Sequence, residues 1–100
     1  MTTPLTLTVD HLPDAGAVLK AVGEIDMTNT ADLIDALGQN PGHVVVDLTD
    51  VAYLDSAGLG VLFTHASHIE VISNALLEPV LTISGLAALI TVRSAENADD

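Results

Sequence analysis

Val44-Val45-Val46-Asp47-Leu48-Thr49-Asp50-Val51-Ala52-Tyr53-Leu54-Asp55-Ser56-Ala57-Gly58-Leu59-Gly60-Val61-Leu62 is the stretch on which the fold turns. Residues 43–48 are β-branched and almost continuously apolar, which marks a strand covered on both faces and therefore the centre of a sheet. Residues 49–54 read as a loop. At Asp55-Ser56-Ala57-Gly58-Leu59-Gly60 short polar residues give way to small ones, and Val61-Leu62-Phe63 continue as a short buried helix. The Ser56 hydroxyl is the expected N-cap, with Gly58 and Gly60 allowing close approach at the helix start.

Working outward, Leu5, Leu7 and Val9 alternate with Thr6, Thr8 and Asp10, the period of a half-buried strand. Turn chemistry in residues 11–16 leads to a second apolar run, residues 17–25, so the two predict an antiparallel hairpin. Asn29, with Asp32 three residues on, opens a helix whose apolar face is Leu33, Ile34 and Leu37 and whose end is Gly38. Strand, helix and strand in succession form a right-handed parallel crossover, which brings the ends of the Gly23 and Val44 strands to one edge of the sheet. Beyond Phe63 come a weak strand over residues 69–73, with Glu70 in its middle, and a helix from Asn74 or Ala75 to Ile83. Ser84-Gly85 breaks that helix; residues 86–89 add a turn, and residues 90–92 a last strand. The order predicts a single small α/β domain, a mixed β-sheet with helices packed mainly on one face. It occupies residues 1–94, and residues 95–100 form an acidic C-terminal tail.

Composition narrows the function classes. One hundred residues, 49% of them hydrophobic, suit one core and exclude both a second domain and a disordered chain. Lys20 and Arg93 face fourteen acidic residues, for a formal charge of −12, so a nucleic-acid backbone is repelled. There is no cysteine for a disulfide or thiolate site. The start shows no secretory leader, which predicts a cytoplasmic protein. The longest stretches without formal charge, residues 56–69 and 79–92, are too short to cross about 30 Å of hydrocarbon, so no direct membrane insertion is expected.

Ser56 is the residue with the most chemistry to offer. A helix start presents free amides and partial positive charge, so a phosphate on Ser56 would sit where those amides point, which makes it a candidate phosphoacceptor. The plainer reading is that Ser56 only caps its helix. A serine nucleophile is disfavoured because the elbow motif wants glycine two positions before the serine, where Leu54 stands, although Gly58 fits two positions after. A receiver-type aspartyl acceptor at Asp47 or Asp55 needs a cation opposite the phosphoryl group, and neither Lys20 nor Arg93 is suitably placed. His65 and His68, three apart, lack a carboxylate in the same turn, so no metal site is predicted; His11 and His43 carry no mark of function. No phosphate cradle is present, and no cofactor is expected.

Residues 44–62 resemble the signature of the STAS domain family, anti-sigma-factor antagonist type. Gly23-Glu24-Ile25-Asp26 is similar to that family's G-E-L-D element, and Ser84-Gly85-Leu86 to its later T-G-L or S-G-L element. The likeness covers nearly the whole chain, in order and spacing. It implies a regulatory binding protein and not an enzyme, one that captures an anti-sigma factor with serine-kinase activity until its own serine is phosphorylated. Carried over by position, the acceptor is Ser56, Asp55 flanks it, and Asp26 matches the loop aspartate beside it. An accessory subunit of a lipid-transport ATPase fits the same motif, and a hydrolase using Ser56 is the alternative from another class. The chain departs from the family in its second helix, usually longer, basic and amphipathic. Residues 57–65 give only about 14 Å of helix, which barely allows the return to the sheet. The cognate partner and the oligomeric state are left open.

Overall fold

The computed structural model describes residues 4–12 and 16–94. The chain runs β1 (Thr6–Leu12), β2 (Gly16–Ile25), α1 (Thr30–Gly38), β3 (Val44–Leu54), α2 (Ser56–Thr64), β4 (Ile69–Ser73), α3 (Glu78–Ile83), α4 (Leu86–Leu89) and β5 (Val92–Ser94). The strands form one mixed sheet in the order β1-β2-β3-β4-β5, with β1 antiparallel to β2 and every other neighbouring pair parallel. The three parallel crossovers step the same way across the sheet. Because each is right-handed, α1, α2 and the α3–α4 pair all lie over one face. This is the small α/β domain expected from the sequence.

Alternation builds the core. Along β2 the residues Ala17, Leu19, Ala21 and Ile25 are buried on the helix-bearing face, and Val18, Lys20, Val22 and Glu24 stand on the other. Val44, Val46, Leu48 and Val71 join the first set, and Leu33, Leu37, Leu62, Leu81 and Leu86 of the helices close over them. Each such side chain contributes about 1.5–3 kcal/mol relative to exposure. Leu5, Leu7 and Val9 pack on the edge of this cluster, as their alternation predicted. The hairpin register runs from Thr6 opposite Val22 to Leu12 opposite Gly16. Its turn chemistry at Pro13, Asp14 and Ala15, and the acidic tail of residues 95–100, lie outside the described residues. Gly16 has φ +80, and a Cβ there would clash with the His43 carbonyl oxygen, so this entry to β2 admits only glycine without strain.

Several expectations need correction. Residues 49–54 are not a loop but the second half of β3, paired with β2 from Val22 opposite Asp50 to Ile25 opposite Leu54. Thr49 and Asp50 look like turn residues, yet the Asp47 carboxylate takes the Thr49 amide at 2.9 Å while the backbone stays extended. Two register shifts put one extra residue each into β3: Lys20 to Val22 of β2 spans Asp47 to Asp50, and Gly23 to Glu24 spans Val51 to Tyr53. β3 is central but has helices over one face only; on the other, Val45 is buried while Asp47 and Thr49 are partly exposed. On α1, Leu33 and Leu37 are buried one helical turn apart, but Ile34 is turned 100° away and is 46% exposed. The regular part of α3 starts at Glu78, later than expected, because Asn74 and the three residues after it form a turn in which the Asn74 Oδ1 accepts the Leu77 amide at 2.9 Å. The last strand is Val92–Ser94, two residues later than predicted.

The short second helix is sufficient. α2 has nine residues, and residues 55–68 together make the crossover, which brings Ile69 beside Val44. β4 then pairs with β3 over only four positions, ending at Asp47 opposite Ile72. Past that point the Asn74 side chain takes over. Its Nδ2 donates to the carbonyls of Leu48, Thr49 and Val51 at 3.2, 3.0 and 2.9 Å. Glu70 is accommodated on β4 by its neighbours, its carboxylate meeting Arg93 of β5 at 3.0 Å and His43, just before β3, at 2.9 Å.

Candidate functional site

The carboxyl ends of β2 and β3 open side by side, because Ile25 and Leu54 are register partners. The next residue on each strand is an aspartate, so Asp26 and Asp55 begin two loops one strand spacing apart, about 4.8 Å. The topology therefore places Asp26, Asp55 and Ser56 on one edge, as the crossover argument required.

Asp55, not Ser56, is the N-cap of α2. Its backbone is extended (φ −89, ψ −178) and its Oδ1 accepts the Gly58 amide at 2.9 Å. The other oxygen, Oδ2, accepts the Met27 amide at 3.1 Å, and the Asp55 amide itself donates to the Ile25 carbonyl at 3.1 Å. One carboxylate thus joins the β2–α1 loop to the start of α2. Ser56 is the first helical residue. It is exposed, and its hydroxyl has no hydrogen-bond partner among the described residues. Relieved of capping, that oxygen is accessible, with the unbonded amides of the first turn beside it.

Asp26 shapes its own loop. Its Oδ1 accepts the Thr28 amide at 2.9 Å and the Thr28 hydroxyl at 2.5 Å. Asn29, expected to cap α1, instead turns back: its Oδ1 accepts the Asp26 amide at 3.0 Å and its Nδ2 donates to the Glu24 carbonyl at 2.8 Å. These bonds hold Met27 at the loop tip, where it is 76% exposed. The sequence reading missed Met27 and Thr28 and gave Asn29 a capping role in place of this one. The Asp-x-Thr spacing, which favours a side-chain-closed turn, was the available signal.

The two glycines differ. A Cβ on Gly58 would come within 2.6 Å of Ile25 Cγ2 and 2.7 Å of Leu54 Cδ1, so this position needs glycine for the helix to sit against both strand ends. Gly60 has open space where a Cβ would go, so the expected close approach does not occur there. Gly85 of Ser84-Gly85-Leu86 has φ +92 and turns the chain between α3 and α4, seating Leu86 in the core.

No histidine bonds the Ser56 hydroxyl among the described residues: His65 Nδ1 is at 2.9 Å from the Val61 carbonyl and His68 Nδ1 at 3.1 Å from that of Gly42. No group of three or more metal-ligating side chains occurs among the described residues. Lys20 is bound to Asp50 at 3.1 Å on the helix-free face. The hydrogen bond to Asp50, then the charges of Asp50 and Asp47, raise its ammonium pKa above the ordinary value. Arg93 is likewise held by Glu70. Neither cation is free to oppose a phosphoryl group on an aspartate. Among the described residues no helix is long and apolar enough to cross a membrane.

Comparison with known proteins places the fold and the family. Anti-sigma-F factor antagonist RsfB of Mycobacterium tuberculosis is 40% identical over 67 residues, 62% of this chain and 55% of that protein. The chain thus spans about half the length of the relatives it matches. An anti-sigma factor antagonist from Mycobacterium paratuberculosis superposes with a TM-score of 0.80 at 24% identity, over 90% of this chain and 86% of that one. SpoIIAA in its unphosphorylated form gives 0.64 at 17% identity, covering 95% and 94%. Phosphorylated SpoIIAA of Bacillus gives 0.63 at 15%, covering 95% and 97%. At these identities the structures speak for the fold. The family profile described as Mlab, STAS domain, matches residues 8–91, which include β2, β3, β4, all four helices and the whole Asp55–Ser56 edge; this chain belongs to the STAS domain family.

Proposed function

We propose that the chain is an anti-sigma-factor antagonist, a binding protein and not an enzyme, which captures an anti-sigma factor with serine-kinase activity and is released by phosphorylation at Ser56. One observation carries this reading: Asp55 performs the capping, so the Ser56 hydroxyl stands exposed and uncommitted at the first position of α2. The likeness to RsfB, named an anti-sigma-F factor antagonist, supports the partner class. The likeness to SpoIIAA, solved both with and without its phosphate, supports the switch.

A γ-phosphoryl group transferred to the Ser56 oxygen would meet the free amides of the first helical turn, which favour an anion. It would also add about −1.5 to −2 charges next to Asp55 and Asp26. Both basic residues are engaged elsewhere by carboxylates, so the new charge is not neutralised within the chain. It acts outward, on whatever surface docks at this edge.

The test is to incubate the purified protein with ATP and candidate anti-sigma kinases and to locate added phosphate by mass spectrometry. Phosphate at Ser56, absent in Ser56→Ala, is the expected result. Ser56→Asp is expected to weaken capture at least tenfold in a pull-down or titration, and equal binding by that variant would overturn the switch. Travel with a permease complex, and not with a soluble kinase, would select the accessory-subunit reading for a lipid-transport ATPase instead.

A further inference from the structure

Residues 71–92 contain one formal charge, Glu78, in a chain of net charge −12. Within this span the hydrogen bonds Glu78 to Asn74, Leu81 to Leu77 and Ser84 to Val80 trace one helical course from the turn through α3. Leu77 and Leu81 face the core. Leu76, Val80 and Ile83, spaced by four and three residues, share the adjoining flank, about 100° round the helix, and are 66%, 36% and 85% exposed. An apolar stripe this wide is ordinarily buried across its full width. This one is covered on one side only, and Leu89 of α4 extends the exposed surface at 62% exposure.

We propose that this α3 face is where the chain pairs with a second copy of itself. Two arguments favour a copy over another occupant. The first is charge. A basic partner is drawn to the acidic faces, where Asp10, Glu24, Asp32 and Asp35 lie on β1, β2 and α1, and gains nothing by choosing the neutral flank. A second copy is itself a polyanion, and the α3 flank is where two such chains meet with least repulsion. α3 and α4 lie over the β4–β5 end of the sheet, so pairing there keeps the acidic β1–β2 ends apart. The second argument is symmetry. A two-fold axis through Val80 sets Leu76 of one chain against Ile83 of the other, and the stripe is self-complementary as an isologous contact requires.

The contact is small, so pairing is weak and deepens with salt, opposite to an association held by ion pairs. Sedimentation equilibrium of the full chain, from about 10 μM to 1 mM protein at about 20 mM and 500 mM NaCl, is the test. The expected result is a monomer–dimer equilibrium at least fivefold tighter at the higher salt. Ile83→Asp should abolish it while Ile34→Asp, a control at an exposed isoleucine on α1, leaves it intact. The chain has no cysteine, so Val80→Cys offers an independent check: mild oxidation should link two copies readily, whereas Ile34→Cys stays monomeric. A monomer under all conditions, or a dimer that survives Ile83→Asp, would overturn the proposal. So would loss of kinase capture in Ile83→Asp with no change in sedimentation, since the face would then belong to the heterologous partner. Phosphate at Ser56 is scored separately and neither outcome depends on the other.

Discussion

Gly58 and Gly60 stand two residues apart in α2 and make opposite demands. An alanine at 58 gains helix propensity of about 1 kcal/mol but must push Ile25 and Leu54 aside, an overpacking cost of about 1–3 kcal/mol. Gly58→Ala is therefore expected to lower the urea midpoint. Gly60→Ala meets nothing within 4 Å and should raise stability by about 0.5–1 kcal/mol in the same titration. Asp55→Ala removes the acceptor for both Gly58 and Met27 and is expected to cost about 1–2 kcal/mol. It should also speed amide exchange at Met27, which a change confined to the helix cap would not do. The Asp55-Ser56 pair was legible in the sequence, but the division of labour was not. Aspartate and serine cap equally well, and only the extended backbone at 55 decides between them.

At the scale of elements, Asn74 does the work of a missing strand. β4 leaves β3 after Asp47, and one side-chain amide serves the carbonyls of Leu48, Thr49 and Val51. Asn74→Ala strands those acceptors and the Leu77 amide, and a loss of about 1–3 kcal/mol is expected on chemical unfolding. Asn74→Asp should cost more, because a carboxylate would face three carbonyl oxygens. Alternation and β-branching made β1, β2 and the first half of β3 readable. The second half of β3 was hidden because Thr49 and Asp50 have turn chemistry, and the Asp47 bond that quiets it is a side-chain event. Lys20 adds a pH dependence. Its folded pKa lies above its unfolded one, so the Asp50 pair stabilises fully below the unfolded value and is lost as pH rises through the folded one. The stability gap between the native chain and Lys20→Met should therefore hold near neutrality and close in alkaline titrations above about pH 10.4.

For the molecule as a whole, −12 charges on 100 residues make self-repulsion a standing term in stability. Raising NaCl from about 10 mM to 0.3 M shortens the screening length from about 30 Å to below 8 Å, and the thermal midpoint is expected to rise. The exposed Lys20–Asp50 pair, the kind that contributes little, does not reverse that sign. Net charge and hydropathy were readable at once from composition. The sidedness of the sheet followed from crossover handedness alone, whereas the bare α3 stripe needed the packing of Leu77 and Leu81 to show which side was spent. The long reach of β3 past β4 has one more effect. Ser56 is mounted at the tip of a cantilever, fastened along one edge by β2 and pinned on the other by a single residue. Deuterium should enter residues 48–56 well before residues 44–47, and a kinase of the kind proposed above would meet a tip that flexes without melting the floor beneath it.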